Sequence, residues 1–123
     1  MYTILIVGYG SIGKRHLDNI LELNNSKIIV LTKQKNLTKL EKRGIIIVNS
    51  LKDALSHKPD IGFVTNETSL HVKTATQLAS NGMHLFLEKP LSNSSIGIKK
   101  LKNIVKSKKL QTQIGCNMRF HPC

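Results

Sequence analysis

Acidic residues are scarce in this chain. Seven Asp and Glu stand against nineteen Lys and Arg in 123 residues, a formal net charge of +12. An excess of that size invites nucleic acid, whose phosphates a basic domain neutralises. Aromatic residues are scarce as well, 4% of the chain. Tyr2, Tyr9, Phe63, Phe86 and Phe120 are not interleaved with a basic cluster, the arrangement that base-stacking proteins favour. Only Arg15, Arg43 and Arg119 are arginines, and the lysines are spread along the whole chain. The charge therefore reads as a solvated lysine-rich surface, and no nucleic-acid partner is expected. Cys116 and Cys123 cannot build a disulfide framework, and no Cys-x-x-Cys or Cys/His spacing marks a metal site. Cys116, in an apolar run, suits a small buried hydrophobe. Long apolar runs are missing too. Ile4 to Val7, Ile28 to Leu31 and Ile45 to Val48 are strand-sized, far short of a membrane span, so no membrane partner is expected. The amino-terminal stretch has neither a basic leader nor a cleavage site, and the expectation is a cytoplasmic protein. Hydrophobic content of 40% with 21% charged residues is ordinary for a globular domain, and the length suits one domain over residues 1–123.

What the chain does have is concentrated at its start. Ile4-Leu5-Ile6-Val7 is a short continuous apolar run, as in a parallel strand covered on both faces. It leads directly into Gly8-Tyr9-Gly10-Ser11-Ile12-Gly13, a G-x-G-x-x-G motif followed by a helical pattern. In that context Gly8 permits a tight turn, Gly10 lets backbone approach a pyrophosphate, and Gly13 lets helix pack closely on strand. The helix N-terminus would present free N–H groups and its positive dipole end to the phosphates. Gly8, Gly10, Ser11, Ile12 and Gly13 are therefore candidate dinucleotide contacts.

Downstream, strand-sized runs alternate with helical patterns. Strands are expected at Lys27 to Thr32, Ile45 to Val48, Ile61 to Thr65, Met83 to Leu87 and Gln111 to Cys116. Helices are expected after Gly10 as far as Asn24, from Asn36 to Lys42, around Leu51 to Ser56, and from Thr68 to Ser80. A last helix, capped by Ser92 and running to about Lys108, places Ile98, Leu101, Ile104 and Val105 inward and six lysines on the solvent side. Such alternation with right-handed crossovers predicts an α/β fold, a doubly wound parallel sheet of the Rossmann type with strand order 3-2-1-4-5-6. Its ligand would lie across the carboxyl ends of the strands.

The residues at those carboxyl ends carry the chemistry. Strand two ends in Leu31-Thr32-Lys33-Gln34-Lys35. A carboxylate there would hold the adenosine ribose of NAD and repel a 2′-phosphate. Its absence, with Thr32 and Lys33 able to bind a phosphate, favours NADP over NAD. Strand four ends in Thr65-Asn66, short polar contacts at the cofactor side, and His71 follows on the next helix as acid/base group or packed residue. Strand five ends in Glu88-Lys89-Pro90. Pro90 stops the strand, and Lys89 is placed either to polarise a ribose or substrate hydroxyl or simply to sit in solvent.

Val7 to His16, Thr65 to His71, Glu88-Lys89-Pro90-Leu91 and Gly115-Cys116-Asn117-Met118-Arg119-Phe120-His121-Pro122 occur in one order over essentially the whole chain. In this the chain resembles the amino-terminal domain of the glucose-fructose oxidoreductase / inositol dehydrogenase / rhizopine-catabolism (Gfo/Idh/MocA) family. The resemblance implies NAD(P)-dependent chemistry on a CH–OH group of a sugar, polyol or nucleotide sugar. It implies that Lys89 is the catalytic residue, touching nicotinamide ribose and substrate, that Glu88 fixes its loop, and that Asn117 and Arg119 lie near the nicotinamide. Thr65-Asn66 departs from the Thr-Pro of many members. Family members continue into a C-terminal α+β domain that supplies substrate pocket, proton carrier and homo-oligomer interface. The expectation is therefore half of an oxidoreductase, lacking that domain and inactive alone. The alternative is a stand-alone module that senses NAD(P) without catalysis.

Overall fold

The computed structural model describes residues 1–23, 25–89 and 95–115. Six strands, β1 (Tyr2–Val7), β2 (Ser26–Leu31), β3 (Ile46–Val48), β4 (Ile61–Val64), β5 (His84–Glu88) and β6 (Thr112–Gly115), form one sheet. Every pairing is parallel, and the order is β3-β2-β1-β4-β5-β6, the doubly wound order expected. The connections carry α1 (Ser11–Glu22), α2 (Thr38–Lys42), α3 (Leu51–Ser56), a 3₁₀ turn (Thr68–Leu70) running into α4 (His71–Ser80), and α5 (Ile98–Ser107).

The continuous apolar runs divide by parity, because successive side chains of a strand point to opposite faces. Ile4 and Ile6 of β1, with Ile28 and Val30 of β2, pack under Leu17 and Ile20 of α1 and Leu40 of α2. Leu5, Val7, Ile29, Val64, Leu85 and Leu87 face the other way, onto Ala54 of α3, Ala75, Leu78 and Ala79 of α4, and Leu101 of α5. Residues with both neighbours in the core are covered on both sides, which is why a parallel sheet reads as an unbroken apolar run.

Three helix starts differ from expectation, each for a backbone reason. Asn36 has φ +63° and stands outside α2, whose first residue is Thr38. The helix expected from Thr68 begins as a 3₁₀ turn, and the α-helical stretch starts at His71. The last helix starts at Ile98, because Gly97 before it adopts φ +82°, a left-handed conformation that no α-helical residue has. The Ser92 cap lies outside the described residues. No helix among the described residues is long and apolar enough to cross a membrane, and no group of three or more His, Cys, Asp or Glu among them could hold a metal ion.

Candidate functional site

Parallel strands bring β1, β2, β4 and β5 to a common carboxyl edge. There the ends of β1 and β4 splice into one layer. Thr65 N–H donates to the Val7 carbonyl at 3.0 Å, and Thr65 Oγ1 lies 2.9 Å from the Val7 carbonyl and 3.0 Å from that of Gly8. Gly8 N–H in turn donates to the Leu31 carbonyl of β2.

The glycines of the motif divide into two kinds. Gly8 has φ +94°, and a Cβ there would lie 2.8 Å from the Asn66 Cα. A Cβ on Gly13 would overlap the Gly8 carbonyl oxygen. Both are demanded by the fold's own backbone. Gly10 is not. Its φ is −83°, which any residue adopts, and no atom lies within 4 Å of a Cβ placed on it. Gly10 caps the N-terminus of α1 without a side-chain hydrogen bond, and the first turn holds no acidic residue. Its N–H groups and dipole are thus open to an anion, with exposed Ser11 and Ile12 beside them. A dinucleotide pyrophosphate fits this cradle.

At the ends of β2 and β3, a groove of about 500 Å³ is lined by Thr32, Lys33, Gln34, Lys35, Asn49 and Asp53 among others. Thr32 is itself buried, and its Oγ1 accepts from Gln34 N–H at 3.1 Å. Gln34 Nε2 donates to the Tyr9 carbonyl at 2.6 Å, tying the end of β2 to the glycine loop. Nothing in the spacing of the sequence singled Gln34 out. Lys14 Nζ lies 5.4 Å from the Tyr9 ring centroid, and burial foremost, then the Asp18 carboxylate, raises the Tyr9 pKa against an opposing effect of Arg43.

Two candidates prove to be supports for the loop after β4. His71 is 2% exposed, and its Nε2 donates to the Asn66 carbonyl at 2.8 Å. The imidazole is buried and supports the loop through the Asn66 carbonyl, as the packed alternative for His71 has it. The Asn66 side chain likewise turns towards α4, Nδ2 donating to Thr74 Oγ1 at 2.9 Å. The Asn66 Nδ2 is thus committed to the fold, whereas its Oδ1 is buried without a hydrogen-bond partner among the described residues.

At the end of β5, Glu88 Oε1 meets His16 Nε2 at 2.5 Å, and Lys89 next to it is exposed. His16 was visible in sequence only as part of the glycine-motif segment, with no role attached. Asn117 and Arg119 lie outside the described residues.

Residues 2–116 match the family described as "Oxidoreductase family, NAD-binding Rossmann fold", GFO_IDH_MocA. The chain belongs to this family. An uncharacterized oxidoreductase of Bacillus subtilis (strain 168), YrbE, is 31% identical over 122 residues, covering 95% of this chain and 36% of that protein. An oxidoreductase from Bacillus cereus superposes with a TM-score of 0.86 at 22% identity, over 98% of this chain and 36% of the other. The WlbA dehydrogenase of Chromobacterium violaceum, solved with NADH and UDP-GlcNAcA, gives 0.85 at 19% identity, over 97% and 36%. At such identities the solved structures speak for the fold. The chain spans about a third of the length of these relatives, 36% of each. It is an NAD-binding Rossmann domain of the Gfo/Idh/MocA oxidoreductases.

Proposed function

We propose that this domain is the cofactor-binding half of an NAD(P)-dependent oxidoreductase acting on a CH–OH group of a sugar, polyol or nucleotide sugar. The observation that carries the reading is Gly10. It has room and backbone freedom for a side chain, so its lack of one answers to a ligand rather than to the fold. The uncapped first turn of α1 beside it supplies the N–H groups that a pyrophosphate accepts from.

NADP is the preferred form. Lys33 and Lys35 line the groove at the end of β2, and the carboxylate lining that groove, Asp53, belongs to α3 and stands at its capped first turn. Lys33 can pair with a 2′-phosphate that a carboxylate at the end of β2 would repel. Lys89 is the catalytic residue of the reading, contacting the nicotinamide ribose and the substrate hydroxyl. The substrate class takes support from the family and from WlbA, whose structure holds NADH with a nucleotide sugar.

Lys89 is open to solvent. Hydride transfer needs substrate and nicotinamide held in one geometry, which a single exposed wall does not provide. This domain alone therefore binds cofactor without turnover, and the complete enzyme assembles as a homo-oligomer through its second domain. Titration of the chain with NADPH and NADH, read by nicotinamide fluorescence, tests the reading. Tryptophan is absent from the sequence, so no indole emission interferes. Saturable binding of both, tighter for NADPH, with no sugar-dependent turnover, is expected. Failure to bind either nucleotide removes the reading, and sugar-dependent turnover by this chain removes its claim of inactivity.

A further inference from the structure

His16 lies on the second turn of α1, and Glu88 closes β5, 72 positions later. Their side chains meet at 2.5 Å with exposures of 16% and 20%. A carboxylate only accepts, so His16 Nε2 carries the hydrogen. Aromatic rings flank the histidine. The His16 ring centroid is 5.3 Å from that of Phe63 on β4 and 4.9 Å from that of Phe86 on β5, the latter edge-on. The two phenyl rings stack on each other at 4.9 Å and 22°. Across the sheet, a Cβ on Gly115 of β6 would lie 3.0 Å from Glu88 Oε1 and 2.9 Å from the Phe86 ring. Glycine at that position leaves the carboxylate its place.

We propose that His16 is a positioning residue, and that with Glu88 it forms a strut setting where Lys89 stands relative to the glycine loop. The inference rests on the reading of Lys89 as the residue that contacts the nicotinamide end. A lysine side chain is a flexible four-carbon stem, so its ammonium is placed only as well as its backbone is. Glu88 is the residue directly before Lys89, and His16 follows the glycine loop by one helical turn. The strut thus ties the element that would hold the pyrophosphate to the element that would reach the nicotinamide ribose. Ring contacts fix the imidazole, the imidazole fixes the carboxylate, and a hydrogen bond to a charged group in a half-desolvated site resists sliding of one element past the other.

The test compares NADH with ADP, which has the pyrophosphate and the adenosine ribose but lacks the nicotinamide ribose and its ring, on the parent chain, His16→Ala, His16→Gln and Glu88→Gln. His16→Ala is expected to weaken NADH binding by about tenfold, the lower end of what a hydrogen bond to a charged group supports. Binding of ADP should change by less than about twofold, and His16→Gln, which restores an N–H donor, should recover part of the loss. Hydrogen exchange at the Lys89 amide should quicken in His16→Ala and in Glu88→Gln, and Glu88→Gln keeps the test available should His16→Ala not fold. Equal weakening of both ligands, or an unchanged NADH to ADP ratio together with unchanged exchange, overturns the proposal. Lys89→Ala separates the two claims. If it leaves the NADH to ADP ratio unchanged while exchange at residue 89 still quickens in the His16 and Glu88 variants, the strut stands and the reading of Lys89 fails.

Discussion

Gly13 of α1 is packed against Gly8, so that a Cβ on Gly13 would overlap the Gly8 carbonyl oxygen. The clash is with backbone, which cannot swing aside like the end of a side chain. Gly13→Ala must therefore push α1 off the sheet or open the turn at Gly8. Overpacking of a well-filled site costs about 1–3 kcal/mol, and the upper end is expected here. Urea denaturation of the variant against the parent chain checks it.

Thr65 fastens the same corner from β4. Its hydroxyl reaches the Val7 and Gly8 carbonyls, and Val7 is already served by the Thr65 N–H. Thr65→Val keeps the shape and removes the hydroxyl, leaving the Gly8 oxygen without that donor. A loss of about 1 kcal/mol is expected, with Thr65→Ser close to the parent. If Val and Ser variants unfold at the same denaturant concentration, the hydroxyl is not what fastens the loop.

Tyr9 gives the fold a signature at alkaline pH. Burial foremost, with the Asp18 carboxylate adding and Arg43 opposing, holds its phenol above the ordinary tyrosine pKa. The unfolded chain releases this proton first, at a pH of about 10. The contribution is therefore complete below that pH and is lost as the pH rises through the folded-state value. The stability of the parent relative to Tyr9→Phe should stay constant from neutrality to about pH 9 and fall beyond about pH 10. A flat difference across the whole range would contradict the burial of the phenol.

Much of this was legible in the sequence, for local reasons. The apolar runs are short, β-branched and separated by helical periods, so both the number of strands and their order follow from the pattern. The roles of Gly8 and Gly13 were legible because a strand, a tight turn and a helix in succession need small residues at those points. What was not legible depends on backbone conformation or on distance. Asn36 at φ +63° and Gly97 at φ +82° delay two helices, and neither angle is visible in the apolar period. Sequence left His71 as either an acid/base group or a packed residue, and which of the two depends on the short 3₁₀ turn before α4 and on its burial at 2% exposure. The His16–Glu88 contact depends on how α1 is rotated over β4 and β5, a relation between residues 72 positions apart.

Lys33 tests the choice of cofactor. It lines the groove at the end of β2 with Lys35, where the NADP 2′-phosphate would lie. Lys33→Glu removes a cation and supplies the carboxylate that repels the phosphate. The ratio of NADPH to NADH affinity should fall by about tenfold or more, the scale of a lost charge-assisted contact. An unchanged ratio, measured by parallel fluorescence titrations, would remove the preference for NADP.

The central claim is that the open cradle at Gly10 holds a dinucleotide, and NADH titration of Gly10→Ala beside the parent chain tests it most directly. Alanine at a compatible φ with free space around it should leave the fold as stable or more stable, by about 0.4–1 kcal/mol. The same methyl group stands where backbone would approach a pyrophosphate, so NADH affinity should fall by at least about tenfold, the equivalent of ~1.4 kcal/mol. Binding that the substitution leaves unchanged, or a parent chain that does not bind NADH, would contradict the account.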